Sequence, residues 1–321
     1  RAGMAKSKEQ DRPKARVPRG FQDRLGAEII AEREMLGAIS RVYDAHGFDP
    51  LETPALEFTD ALGKFLPDVD RPNQGVFSLQ DDDEQWMSLR YDLTAPLARF
   101  VAENFDALPK PFRRYQVGAV WRNEKPGPGR YRQFTQCDAD TVGAPAPHAD
   151  VEAIAMMAEA IEAAGFAPHE FQVRINDRDV LAGLLDAIGV DEATAPERKL
   201  GVLRAMDKHD RLGEAGVAAL LGPGRKDESG DFTAGAHLDD AAIARVLSFM
   251  KSKGASYAAT CDALDRVVGG SPKGARGVAT LSAIAAQLRA LGFVEARAEI
   301  DAAVIRGLDY YTGPVFEAEL L

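Results

Sequence analysis

The sequence contains little cysteine, few aromatic residues and no long hydrophobic run. Its 321 residues include two cysteines, Cys137 and Cys261, which exclude a disulfide framework and do not lie in a cluster with metal-ligand spacing. No apolar run approaches the ~18 residues of a membrane span, and none resembles a secretory signal. These absences predict a cytoplasmic protein in a reducing compartment, with no membrane partner and no metal held by its own side chains.

The common phosphate-binding motifs are also missing. There is no Gly-x-x-x-x-Gly-Lys-Ser/Thr loop and no Gly-x-Gly-x-x-Gly after a strand, and the five histidines follow no zinc pattern. A function that handles phosphate would therefore have to use arginine side chains. The net charge of −11 argues against nonspecific coating of nucleic acid, so any such contact should be local.

A basic stretch stands out against this acidic background. Residues 120–140 read VWRNEKPGPGRYRQFTQCDAD, which predicts a long antiparallel hairpin with a mobile cationic tip around the Pro-Gly segment. Between residues 110 and 132, seven basic side chains face one acid, Glu124. The excess indicates a bound polyanion, since guanidinium groups suit phosphate oxygens. A solvated basic hairpin explains the charge equally well.

The remaining pattern predicts an α+β fold around a mainly antiparallel sheet. A helix over residues 26–46 should end at Gly47, and a helix capped by Asp150 should end at Gly165. Extended or strand-like segments are predicted at residues 48–58, 73–79, 84–89, 171–176, 298–304 and 310–320. The alanine- and leucine-rich stretch between residues 177 and 290 predicts helices, interrupted by a polar glycine-rich loop at residues 222–235.

Several segments together resemble a known family. Arg122-x-Glu124, a loop and then Phe134 resemble motif 2 of class II aminoacyl-tRNA synthetases, and residues 48–57 are similar to motif 1. Residues 90–94, 129–140 and 306–317 (RGLDYYTGPVFE) resemble the histidyl-tRNA synthetase family specifically. The last is a twelve-residue match with two adjacent tyrosines. Many bacterial members of this family have glutamate at the position of Asp92. The aspartate in this sequence keeps the carboxylate group.

The resemblance implies a domain plan. An antiparallel sheet of six or seven strands flanked by helices would be built from residues 17–180 and 296–321, with an inserted helical domain at residues 181–295 and a disordered tail or tag at residues 1–16. The family's motif 3 and anticodon-binding domain have no counterpart here, so we expect a truncated catalytic core with reduced or no adenylation activity. We also expect a homodimer, because the early helix and the Pro54 segment resemble the family's interface.

The resemblance also implies a two-step reaction with histidine, ATP and tRNA(His). Histidine and ATP form histidyl-adenylate and pyrophosphate, and the histidyl group then passes to the tRNA. Arg122 and Arg306 would be catalytic, Arg122 by bridging the histidine carboxylate and the α-phosphate. Glu124 would accept from the adenine amino group, Arg130 would bind the γ-phosphate, and Mg²⁺ would accompany the phosphates.

Histidine recognition would need acceptors for the ammonium and both edges of the imidazole. The family positions that bind histidine are Asp92, Thr94, Gln136, Asp140, Arg306, Tyr310 and Tyr311. The first three would bind the α-ammonium, Asp140 and Tyr310 the imidazole, and Tyr311 would shape the pocket. Asp92 could instead cap the following helix, and one of the two tyrosines could be core. Asp138 is expected to face away from Asp140.

A second family with the same fold offers an alternative. The noncatalytic regulatory paralogue of the histidine-biosynthesis ATP phosphoribosyltransferase also lacks the anticodon domain. It has no need for Arg122 and Arg130 together, which favours the synthetase. An RNA-binding module built on the basic hairpin would leave the tyrosine motif unexplained.

Overall fold

The fold is α+β, and the chain divides after Val142 into two units. The computed structural model describes residues 14–65, 75–191, 194–226, 230–305 and 311–321. Its helices are α1 (Ala27–Ala45), α2 (Thr94–Asn104), α3 (His148–Ala163), α4 (Arg178–Ala187), α5 (Pro196–Met206), α6 (His209–Leu221, interrupted at Gly213), α7 (Asp240–Met250), α8 (Tyr257–Val268) and α9 (Pro272–Ala290). Its strands are β1 (Asp49–Pro50), β2 (Leu56–Phe58), β3 (Ser78–Gln80), β4 (Trp86–Leu89), β5 (Phe112–Trp121), β6 (Gln133–Val142), β7 (Phe171–Asp177), β8 (Gly224–Lys226), β9 (Phe232–Ala234), β10 (Ala298–Ile300) and β11 (Pro314–Leu320).

The first unit is built on the hairpin that the basic stretch predicts. Strands β5 and β6 pair antiparallel along their whole length, from Phe112 opposite Val142 to Trp121 opposite Gln133. Short strand β1 adds to the other edge of β5 in parallel. Helix α1 packs on this sheet through Tyr43, whose ring centroid lies 5.5 Å from that of Tyr115 on β5. The opposite face of the hairpin is thereby left to carry polar groups.

Helix α1 ends where the sequence predicts. Gly47 has a φ of +76°, and its N–H donates to the carbonyl of Asp44 (2.9 Å) while the N–H of Phe48 donates to that of Tyr43 (3.1 Å). This pair of bonds is a Schellman motif, which satisfies carbonyls that the last helical turn leaves free. The bonds redirect the chain into β1, so the glycine sets where the motif-1-like segment begins.

A second small sheet completes the described part of the first unit. Strand β4 pairs antiparallel with both β2 and β3, and the β3–β4 pair confirms the hairpin predicted around the acidic turn. Glu57 on β2 is buried and accepts from Arg99 on α2 through both carboxylate oxygens (2.9 and 3.0 Å). A two-bond pair of this kind is geometrically specific, so it fixes α2 against β2.

The second unit has its own hydrophobic core. Strand β7 pairs in parallel with β10 and antiparallel with β11. Its alternate residues Phe171, Val173 and Ile175 are fully buried and pack in one cluster with residues of α3, α4, α8 and α9. Helices α4 and α9 cross closely at Gly183 and Gly274. A Cβ on Gly183 would lie only 2.4 Å from the Cα of Gly274, so the close crossing depends on glycine.

Three details of the prediction are corrected here. The described strands form sheets of no more than three strands, not one sheet of six or seven. Asp150 does not cap a helix, since α3 begins two residues earlier at His148 and places Asp150 in its first turn. The predicted polar loop at residues 222–235 contains the antiparallel pair β8–β9, which brings the backbones of Gly224 and Ala234 together.

Within the described ranges, no helix is long and apolar enough to cross a membrane. Residues 1–13 of the predicted tail, which runs to residue 16, lie outside the described residues, and the predicted domain boundaries stay predictions. The described residues between 178 and 290 form helices α4 to α9, the β8–β9 pair and the segments that connect them.

Replacing Gly47 tests the end of α1. Gly47→Ala should lower the free energy of unfolding by about 1 kcal/mol, because alanine is strained at positive φ. Gly37→Ala is the matched control: Gly37 lies inside the same helix, where a Cβ would make only an ordinary 3.6 Å contact with Arg41. That change should raise the free energy of unfolding by about 0.5–1 kcal/mol. Urea unfolding at pH 7 measures both, and equal stability of the two variants would contradict the assignment.

Candidate active site

The polar face of the hairpin follows directly from its register. Arg114 lies opposite Asp140, Gln116 opposite Asp138, and Gly118 opposite Gln136. Because side chains alternate along a strand, Gln136 and the two aspartates share one face. The prediction that Asp138 faces away was wrong, since residues two positions apart point to the same side. The charge of Asp140 acts directly on Asp138.

Arg114 is the buried centre of this face. Its side chain is fully buried, and its Nη2 donates to the carbonyl of Leu93 (2.8 Å) and lies 2.9 Å from Oδ2 of Asp140. The contact with Asp140 is an ion pair rather than an aligned hydrogen bond, and Oδ2 accepts no hydrogen bond from the described residues. Nε and Nη1 of Arg114 likewise have no hydrogen-bond partner among them.

The turn before α2 carries the next two predicted histidine ligands. Oδ1 of Asp92 accepts from the backbone N–H groups of Thr94 (3.2 Å) and Ala95 (2.9 Å). Asp92 therefore caps α2, the alternative that the sequence left open, and its charge also acts on both Asp138 and Asp140. A capping oxygen and a ligand-binding oxygen can belong to one carboxylate, so the cap does not remove Asp92 from the candidate site.

Burial makes Asp138 and Asp140 hard to ionise. Burial, and then the charge of Asp140, raise the pKa of Asp138 to about 6, while Arg114 and Arg122 act in the opposite direction. Burial also raises the pKa of Asp140, with Arg114 opposing it and Asp92 adding to it. The cluster thus carries more negative charge than its environment favours, which suits a cationic ligand.

Gln136 adds an acceptor to the same face. Its Oε1 is buried and accepts no hydrogen bond from the described residues. A buried acceptor without a donor is costly, so this atom also calls for a donor from a ligand or water.

Arg122 stands at the other end of the face. Its Nε donates to the carbonyl of Tyr91 (3.1 Å), and its guanidinium lies 5.0 Å from the centroid of the Phe134 ring. These contacts hold a planar cation beside the turn that carries Asp92.

The hairpin turn holds the predicted nucleotide ligands. Arg130 forms an ion pair with Glu124, so these two residues bind each other in the described structure. Nε of Arg132 donates to the carbonyl of Glu124 (2.9 Å), and the N–H of Arg132 donates to that of Gly20 (2.7 Å). The turn is therefore tied to the chain before α1.

The tyrosine motif lies in the second unit. Arg306 and Tyr310 fall outside the described residues. Tyr311 is about half exposed, and its carbonyl accepts from Nε of Arg178 (3.2 Å). The N–H of Arg178 donates to the carbonyl of Gly313 (3.0 Å), so the start of α4 anchors the exit of the motif into β11.

Two arginines were missed by sequence reasoning. Arg114 was counted only as part of the basic stretch, although its position opposite Asp140 follows from counting outward from the hairpin turn. Arg90 donates through Nε to the carbonyl of Ala119 (3.0 Å) and through Nη1 to that of Thr53 (2.7 Å). It joins β5 to the motif-1-like segment, a link that local sequence does not signal.

No group of three or more histidine, cysteine, aspartate or glutamate side chains among the described residues could hold a metal ion. The described candidate site offers guanidinium groups for anions and carboxylates for cations. Its residues can bind a zwitterion and a phosphate, but they form no metal centre of their own.

Comparison with known proteins places these features in a family. Residues 20–318 match the family model described as histidyl-tRNA synthetase. A histidine–tRNA ligase of Brucella ovis is 58% identical over 311 residues, covering 97% of this chain and 62% of that protein. The histidine–tRNA ligase of Caulobacter vibrioides is 59% identical over the same length. The chain thus spans about 62% of the length of these curated relatives.

Solved structures agree. The crystal structure of histidyl-tRNA synthetase from Nostoc sp. PCC 7120 superposes with a TM-score of 0.78 at 30% identity, covering 96% of this chain and 66% of that one. A Bacillus halodurans structure described as an ATP phosphoribosyltransferase regulatory subunit/histidyl-tRNA synthetase has a TM-score of 0.76 at 24% identity, which shows the shared fold alone. The family model covers nearly the whole sequence, and so this chain belongs to the histidyl-tRNA synthetase family.

Proposed function

We propose that this protein activates L-histidine with ATP to form histidyl-adenylate and transfers the histidyl group to tRNA(His). The observation that carries the proposal is the arrangement of the β5–β6 hairpin. Partly buried acids lie along one face, and Arg122 and the Glu124–Arg130 turn follow on the same hairpin. The relatives described as histidine–tRNA ligases support the same reaction.

Arg122 would bring the two reacting anions together. The attack of the histidine carboxylate on the α-phosphate joins two negative groups, and a guanidinium can bind both. The contacts to the Tyr91 carbonyl and the Phe134 ring hold the group in place before the substrates arrive. Preorganised charge of this kind stabilises the transition state without the cost of reorientation. Arg306 would stabilise the same developing charge, a role that rests on the family resemblance.

The hairpin turn would bind the rest of the nucleotide. Arg130 would bind the γ-phosphate, and Glu124 would accept from the adenine amino group. Mg²⁺ would be held by the phosphates and would neutralise part of their charge. The hairpin offers the guanidinium groups of Arg122 and Arg130 to the phosphates.

The acid cluster would bind histidine. Asp92, Thr94 and Gln136 would receive the α-ammonium, for which the unsatisfied Oε1 of Gln136 is a suitable acceptor. Asp140 would bind one imidazole edge. Tyr310 would bind the other edge and Tyr311 would shape the pocket, two roles that rest on the resemblance alone.

The regulatory paralogue remains the alternative. The family's noncatalytic members have no need for Arg122 and Arg130 together, and this chain has both residues. The 58% identity to curated ligases further favours the synthetase.

A homodimer and a cytoplasmic location stay predictions. A crystal structure with histidine would test the homodimer.

Thermal-shift titration tests the proposed function. Histidine alone should raise the melting temperature under either reading. A nonhydrolysable histidyl-adenylate mimic should raise the melting temperature further only if Arg122, Glu124 and Arg130 bind its nucleotide part. Arg122→Gln should weaken binding of the mimic about a hundredfold, because a charge-stabilising donor is lost. Lys125→Gln, a matched loss of charge on the same turn, should change it less than about threefold. Equal binding of histidine and the mimic would favour the regulatory paralogue, and no effect of histidine would refute both.

The acid cluster predicts a pH-dependent gain in stability for Asp138→Asn. With a pKa of about 6 when folded and ~4 when unfolded, Asp138 binds a proton preferentially in the folded state between these values. The wild-type contribution to stability therefore falls as pH rises from ~4 to ~6 and stays low above that. Removing the charge should make the variant more stable by about 1–2 kcal/mol at pH 7–8, with little difference below pH ~4.

Urea unfolding from pH 4 to 8 measures this difference. Asp82→Asn, in the exposed acidic turn, is the control and should show no comparable pH dependence. A variant at position 138 that is less stable than the wild type at pH 8 would show that the carboxylate is stabilised by its neighbours instead.

A further inference from the structure

We propose that Arg114 is a positioning residue for amino-acid recognition, setting the distance between the turn at residues 92–94 and Asp140. The inference deepens the proposed function and rests on it, since these two places would bind the α-ammonium and the imidazole of histidine. Neither the sequence pattern nor the family resemblance described above gives Arg114 a role.

The geometry supports a bridge between two elements. One nitrogen of Arg114, Nη2, donates to the carbonyl of Leu93 in the turn before α2 and contacts Oδ2 of Asp140 on β6. The two sites are far apart in sequence, and this nitrogen connects them directly. Because the guanidinium is rigid and fully buried, it holds the turn and the carboxylate at one separation. The spacing between the ligands of the two ends of the amino acid is thus determined by a single side chain.

The contact also leaves Asp140 available. Its Oδ2 is close to the positive charge of Arg114 but accepts no hydrogen bond from the described residues. An imidazole N–H can therefore bind to this carboxylate without displacing an existing donor. If Arg114 served only to stabilise the fold, an aligned hydrogen bond to Asp140 would be the expected arrangement, since buried acceptors are normally satisfied.

Charge points to the same role. Three carboxylates, Asp92, Asp138 and Asp140, act on one another across this face, and Arg114 and Arg122 are the cations that oppose them. With all five ionised, these described residues carry one net negative charge together, which matches one α-ammonium. The other titratable groups that respond to these acids are Tyr43, from α1, and Cys137, on β6. Without Arg114 the net negative charge of these residues would double. Asp138 and Asp140 would then take up protons instead of binding the ligand.

Histidine binding by calorimetry between pH 6 and 8 tests the inference, with a nonhydrolysable ATP analogue as internal reference. Arg114→Met should weaken histidine binding about 30-fold or more at pH 7 while changing binding of the ATP analogue less than about threefold. As the pH falls, this variant should lose affinity for histidine at a higher pH than the wild type does, because Arg114 acts to lower the pKa of Asp140. Arg114→Lys keeps the charge without the planar fork. It should weaken histidine binding about five- to tenfold and leave the pH dependence of binding near that of the wild type.

Arg99→Gln is the matched control. It removes an ion pair to the buried Glu57 in the same unit but outside the acid cluster. It should leave histidine affinity within about twofold of the wild type even if stability falls. If Arg114→Met does not fold, Arg114→Lys tests the inference. The expected result is weaker binding of histidine with unchanged binding of the ATP analogue.

Two results would overturn the inference. The first is histidine affinity in both Arg114 variants within twofold of the wild type. The second is an equal loss for histidine and the ATP analogue, which would indicate a general structural defect. A wild-type protein that binds the analogue but not histidine would instead refute the proposed function, so the two failures can be told apart.

Discussion

The antiparallel register between β5 and β6 determines where the described candidate residues of the hairpin lie. Ten backbone pairs hold the two strands together, and each pair assigns one side chain to a face. Tyr43 and Tyr115 cover one face, so Gln136, Asp138, Asp140 and Arg114 share the other. A shift of one residue would exchange the faces and bring the acids against α1. Long strands with many backbone pairs make such a shift costly, which explains why polar recognition groups can be built on them.

Burial of the carboxylates on these strands has opposing effects on ligand binding. Carboxylates that bind a small cation must be shielded from water to be selective, yet shielding makes their charged forms unfavourable. Arg114 offsets part of this penalty from within the fold, and Asp92 reduces its own through the N–H groups of α2. Asp138 has less compensation, and its pKa of about 6 reflects that. These acids therefore carry negative charge that the proposed binding of an ammonium group would neutralise.

Local chemistry could be predicted from sequence, but long-range contacts could not. Proline and glycine marked the hairpin turn, and Gly47 marked the end of α1, because positive φ and missing N–H groups act within a few residues. The helix start near Asp150 was misplaced, since α3 begins at His148 without a side-chain cap. Asp138 was misassigned through an error in strand phase. The contact of Arg114 with both Leu93 and Asp140 joins three segments, so it required the folded register.

The ion pair between Glu124 and Arg130 would make the proposed nucleotide binding an exchange of partners rather than a simple addition. Any phosphate that reaches Arg130 must compete with a carboxylate already seated there, and any adenine that reaches Glu124 must compete with a guanidinium. An exposed pair of this type is worth at most about 1 kcal/mol, so the competition would reduce affinity by about fivefold at most. In return, each group neutralises the other on an acidic protein, and inorganic anions gain less from binding at the hairpin turn.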